Sequence, residues 1–125
     1  MNMTASTLVD EAKRSIRELP PLEVDDRCVL IDVREPGEYQ AGCIPSAINL
    51  PRGVLEFQID GHPALADPAG PALSHRRRPI VVYCRTGGRA ALAAHALQRL
   101  GFDDVRSIAG GIVAWAEAGL PVVAP

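Results

Sequence analysis

The stretch Pro79-Ile80-Val81-Val82-Tyr83 is apolar without alternation and runs directly into Cys84-Arg85-Thr86-Gly87-Gly88-Arg89. A strand with no polar face has no side to offer water, so it belongs inside a sheet covered on both faces, which is the habit of parallel sheets flanked by helices. Cys28-Val29-Leu30-Ile31-Asp32-Val33 has the same character, is rich in β-branched residues, and ends at the turn-forming Arg34-Glu35-Pro36-Gly37. Two such strands already bias the chain toward an α/β architecture.

The intervening segments fill in that pattern. Leu8, Val9, Ala12, Ile16 and Leu19 share one helical face, with Thr7 as the expected cap and Pro20-Pro21 as the stop. A helical turn is expected around Glu38 to Ala41, a strand over Ala47 to Leu50, and a weak helix from Val54 to Ile59. Gly61 to Arg78 reads as a long Pro/Gly/Ala-rich loop of the kind that is either mobile or shapes a site rim. After Cys84 comes a helix over Ala90 to Leu100, closed by Gly101; Val105 to Ile108 is a further strand, and Ile112 to Ala118 a last helix. Strands alternating with helices predict a parallel central sheet flanked by helices on both faces. With 125 residues and 47% hydrophobic side chains, the expected organisation is one domain over 1–125, with a helix and lead-in at 1–21 and the core at 22–125.

The net charge of -2, from 13 basic and 15 acidic residues, leaves no electrostatic footprint for nucleic acid or an anionic membrane. Asp10 and Glu11 interrupt the opening segment where a secretory signal needs an apolar run, so the chain is expected to be soluble and uncleaved. Cys28, Cys43 and Cys84 are odd in number and irregular in spacing, which matches neither a disulfide framework nor a zinc site; a cytoplasmic location is expected.

In an open parallel sheet, ligands bind beyond the carboxyl ends of the strands, and Cys84 falls there. Gly87 and Gly88 permit a curl with positive φ in which successive N–H groups turn inward, and the helix starting near Arg89 adds its positive end. Helix N-termini and guanidinium groups favour the thiolate of a cysteine, and Arg85 and Arg89 supply the latter, so a nucleophilic thiolate at neutral pH is expected without a separate base. Arg85, nearer the loop opening, is expected to steer an anionic donor and Arg89 to be more structural. Thr86 either offers its hydroxyl to the sulfur or faces outward. Cys28, inside an apolar run, is expected to pack as a small hydrophobe.

Three motifs together resemble the rhodanese homology family over Val24 to Val123. They are Asp32-Val33-Arg34-Glu35 with Glu38-Tyr39 and Gly42-Cys43-Ile44-Pro45-Ser46-Ala47; then Cys84-Arg85-Thr86-Gly87-Gly88-Arg89; then Gly110-Gly111-Ile112-Val113-Ala114-Trp115. The resemblance implies a rhodanese-like three-layer sandwich and a sulfurtransferase that moves sulfur from a donor such as thiosulfate, through a Cys84 persulfide, to cyanide or a protein thiol. It implies no metal and no organic cofactor. Asp32, Arg34 and Glu38 are expected to support the site, with Glu38 or Asp32 pairing Arg89. The family usually carries histidine and glycine where this chain has Cys43 and Ser46; Cys43 then either packs, the favoured reading, or acts as a resolving thiol.

Cysteine-dependent phosphatases and arsenate reductases also cradle an anion, but their arginine stands six positions after the cysteine. Here that position is Ala90, and Arg89 comes one residue sooner. A persulfide carrier, or a regulatory binding module without thiosulfate turnover, shares the fold, which by itself does not establish activity. His62, His75 and His95 are scattered without metal-ligand spacing, and His75-Arg76-Arg77-Arg78 reads as a solvated basic turn in preference to a dock for an acidic partner. Trp115 is expected to pack its helix on the sheet.

Overall fold

The computed structural model describes the backbone of residues 2–65 and 74–125 and the side chains of 2–65 and 76–125. Five parallel strands, β1 (Arg17–Leu19), β2 (Val29–Asp32), β3 (Ile48–Asn49), β4 (Ile80–Tyr83) and β5 (Val105–Ile108), form one sheet in the order β1-β5-β4-β2-β3. The helices are α1 (Ala5–Lys13), α2 (Pro36–Ala41), α3 (Leu55–Ile59), α4 (Gly88–Arg99) and α5 (Gly111–Glu117). The sandwich expected from the unalternating apolar runs is therefore the observed one.

Every residue of β2 and β4 is buried, because the pleat sends alternate side chains into two cores. Val29, Ile31, Val33, Ile80, Val82 and Cys84 pack on one face with Leu55 and Ile59 of α3 and with Ala90, Ala93, Ala94 and Leu97 of α4. Leu30, Val81, Tyr83 and Ile108 pack on the other with Ile112 and Trp115 of α5. The alanines of α4 let its axis lie close to the sheet, and Gly101, at φ 95, ends the helix in a turn in which the Phe102 N–H donates to Leu97 O. Trp115 packs as expected, its Nε1–H donating to Pro121 O at 2.8 Å.

Several expectations require correction. The first helix ends at Lys13, and Arg17-Glu18-Leu19 peels off as an edge strand paired with Arg106-Ser107-Ile108; backbone pairing and burial of Leu19 override the helical periodicity. Thr4 is the cap, and Thr7 returns the bond from the third helical position as the other half of a capping box. Cys28 precedes β2 and is half-buried, its Sγ–H donating to Asp25 O at 3.2 Å. The loop of 61–78 contains short 3-10 turns at Pro63–Leu65 and Ser74–Arg77, and 66–73 lie outside the described residues, as does the side chain of His75. Arg76 is no solvated charge: its guanidinium bonds Asp60 at 3.1 Å and lies 4.6 Å over the Phe102 ring.

Candidate active site

Cys84 is the residue after the central strand, on the face that α4 covers, and is only 2% exposed. Its Sγ accepts hydrogen bonds from Gly87 N–H at 3.1 Å and Ala90 N–H at 3.4 Å. The chain therefore wraps the sulfur with the amides at the positive end of a twelve-residue helix. Gly87 makes the wrap at φ 124, a conformation that side chains resist. Gly88 does not share this role, contrary to expectation. It has no positive φ, begins α4, and leaves room for a Cβ in ordinary contact with Val9. Only Gly87 of the two takes a positive φ, so a single glycine suffices for the curl.

While the loop amides turn toward Sγ, its carbonyls turn away and are met by α5. Ile112 N–H donates to Cys84 O at 2.9 Å and Val113 N–H to Arg85 O at 3.2 Å. Gly110 and Gly111 enter α5 at φ 76 and 62, and a Cβ on Gly111 would overlap the Arg85 carbonyl oxygen and stand 2.6 Å from that of Cys84. These backbone groups were not among the residues the sequence points to. The Gly-Gly step before a helix was the available signal, but a sequence does not say which carbonyls the helix meets.

The two arginines have different surroundings. Arg89 forms two hydrogen bonds with Glu38, 2.6 Å to Oε1 and 3.0 Å to Oε2, so Glu38 and not Asp32 is its partner. Glu38 also accepts from Glu35 N–H within the capping box of α2. The Arg89 bonds hold its carboxyl far below the ordinary range, at about 2. Arg89 is correspondingly raised, chiefly by the Glu38 bonds. Arg85 and Thr86 are exposed, and their side chains form no hydrogen bond or ion pair with a described residue, so Thr86 faces outward.

Asp32 is fully buried and is bridged by Arg34 through Nε at 3.0 Å and Nη2 at 2.7 Å. Arg34 continues to Gly42 O and lies 5.8 Å from the ring centroid of Tyr83, the residue before Cys84. Asn49 Nδ2 donates to Asp32 O and Arg34 O, clasping the same turn. The pair thus anchors the end of β2 beside the site without entering it.

Cys43 is buried, forms an antiparallel bridge with Val123, and has its thiol pushed up by burial. Burial also raises the Cys28 thiol. Both features disfavour reactivity and agree with packing. Ser46 stands at φ 70, which accounts physically for a glycine being usual there. His62 Nδ1 accepts from Ala64 N–H, and His95 is half-buried on α4.

The Rhodanese-like domain family model matches residues 9–118. A sulfurtransferase of Allochromatium vinosum is 36% identical over 97 residues, spanning 78% of this chain and 79% of the relative. The human (Homo sapiens) thiosulfate:glutathione sulfurtransferase is 34% identical over 109 residues, spanning 82% and 91%. Among solved structures, a Rhodopseudomonas palustris protein of unknown function, described as a possible tyrosine phosphatase, superposes with a TM-score of 0.80 at 32% identity, covering 98% of this chain and 96% of that one.

Proposed function

The chain belongs to the rhodanese-like domain family, and from that premise we propose that it is a sulfurtransferase carrying a sulfane sulfur as a persulfide on Cys84. One observation carries the reading: Sγ of Cys84 sits in a cradle of two backbone N–H groups, while Arg85 stands exposed and unpaired at the loop. Fixed amide dipoles stabilise negative charge on sulfur without reorganising, whether that charge lies on the resting thiolate or on a persulfide.

In the first half-reaction the Cys84 thiolate attacks the outer sulfur of an anionic donor such as thiosulfate. The new S–S bond forms as the donor's S–S bond breaks, its electron pair leaving with sulfite. In the second, a thiophilic acceptor takes the outer sulfur and the electron pair of the persulfide bond returns to Cys84. Cyanide gives thiocyanate; a small or protein thiolate gives its own persulfide. The human relative's name supports thiosulfate as donor and a thiol as acceptor. Three free cysteines fit a compartment that keeps thiols reduced, which favours a cytoplasmic setting. Arg85 steers the donor, and Arg89, tied to Glu38, holds the second residue of α4 in place.

A phosphatase reading needs an arginine turned toward an oxyanion above the cysteine. Arg89 instead spends two hydrogen bonds on Glu38, and the sixth residue after Cys84 is Ala90, whose N–H lies on the sulfur itself.

The test is intact-mass analysis after incubation with thiosulfate. The expected product carries one added sulfur that cyanide removes, is absent in Cys84→Ser, and persists in Cys28→Ser and Cys43→Ser. A wild-type protein that gains no sulfur, or gains it without Cys84, overturns the proposal. Uptake without multiple turnover on any small acceptor makes it a carrier to a protein thiol.

A further inference from the structure

Beside the cradle lie two charges that the mechanism above leaves unused. α1 packs against α4: a Cβ on Gly88 would meet Val9 Cγ2 at 3.7 Å, and one on Gly87 would have Lys13 Nζ and Glu18 Oε2 each at 4.0 Å. Val9 and Lys13 are one helical turn apart and so share the face of α1 that covers this step. Gly87 is the residue whose N–H holds Sγ, and it is buried although Arg85 and Thr86 before it are exposed. An ammonium and a carboxylate therefore lie against Gly87, the residue that supplies one of the two amides meeting the sulfur.

Neither charge is consumed elsewhere. The side chains of Lys13 and Glu18 are exposed and form no ion pair or hydrogen bond with any described residue, including each other. Their backbones are nevertheless fixed. The Thr4 and Thr7 box caps α1, Ala12 is 2% exposed, Gln98 Nε2 donates to Ser15 O at 3.1 Å, and Glu18 pairs in register with Ser107 in the sheet. Lys13 also ends α1, where the negative end of the helix favours a cation.

We propose that Lys13 is a donor-positioning residue, whose ammonium joins Arg85 in holding an anionic sulfur donor at the loop, with Glu18 limiting how strongly anions are held there. This rests on the sulfurtransferase reading for the identity of the donor, but the charge beside Gly87 does not. The N-terminal helix then belongs to the site, and it selects by charge. Thiosulfate and the departing sulfite are both dianions, so Lys13 favours donor capture while Glu18 eases release.

Two measurements on the full chain test this. The first compares alkylation of Cys84 by anionic iodoacetate and neutral iodoacetamide, read by peptide mass. The ratio of the two rates cancels the ionisation of the thiol and reports the charge met on approach. At low ionic strength Lys13→Gln should lower that ratio about threefold or more, Glu18→Gln should raise it, and Lys13→Arg should restore it, with the differences shrinking in salt. The second is thiosulfate-dependent sulfur uptake. Lys13→Gln should lower kcat/KM by a similar factor, mainly through KM, with Tm lowered by no more than a few degrees. A ratio indifferent to Lys13 and Glu18 overturns the inference, as does a shifted ratio with unchanged thiosulfate kcat/KM. A wild type that takes up no sulfur fails the sulfurtransferase reading instead, and the alkylation ratio still decides the role of the charges.

Discussion

Gly111 faces the carbonyl of Arg85 so closely that a Cβ at that position would overlap its oxygen. The contact lets two α5 amides hold the outward-facing carbonyls of the sulfur loop while the loop's own amides face Sγ. Activity is therefore expected to depend on a glycine that lies 27 residues beyond the nucleophile and touches no substrate.

Gly111→Ala must move the loop backbone, and displacement of about 1 Å at a reacting group costs up to roughly a hundredfold. Sulfur uptake should fall by at least about tenfold, with Tm lowered by several degrees. Gly119→Ala is the control. It shares a positive φ of 81 but has open space around its Cβ, so Tm should fall while uptake stays near wild type.

The Glu38 and Arg89 pair makes stability depend on acid. The folded-state value of Glu38 is about 2 against an ordinary 4.5, so its contribution is complete above about pH 4.5 and disappears as pH falls toward 2. Both partners are about a third exposed, and solvent keeps the effect at about 1 kcal/mol or less. Urea titrations across pH 2 to 7 should show the wild-type advantage over Glu38→Gln shrinking through that window. An advantage that grows toward pH 2 contradicts the assignment.

Asp32 and Arg34 should behave differently, because their charges are buried, at 0% and 8% side-chain exposure. Arg34→Ala strands a buried carboxylate and should cost about 3 to 5 kcal/mol in urea unfolding. Adding Asp32→Ala should cost less than the sum of the two single changes, since the second removes the stranded charge.

Ser46 pays for a left-handed backbone at φ 70. Ser46→Gly should raise stability by about 1 kcal/mol, read as a Tm increase of a few degrees, with sulfur uptake unaffected. A lower Tm would mean that the serine side chain contributes more than the strain removes.

Much of this was legible in the chain itself. The two unalternating runs at Val29 and Ile80 specify buried strands because only a covered sheet accommodates them, and β5 was predicted at its observed bounds. Cys84 at the end of such a strand, followed by glycines and two arginines, announces an anion cradle because backbone amides and a helix start are local consequences of that order. The 17–19 strand was hidden, since three residues with one buried side chain carry no period of their own and pair only because β5 presents an open edge.

Sequence alone determined most of the elements and placed Cys84 at the end of a buried strand, for propensity, patterning and a turn at glycine act over a few neighbouring residues. Tertiary packing decided which carboxylate takes Arg89, which helix supports the loop's carbonyls, and that Lys13 and Glu18 reach Gly87. Those choices join segments tens of residues apart, and the relative placement of separate elements is fixed by shared cores, not by local order along the chain.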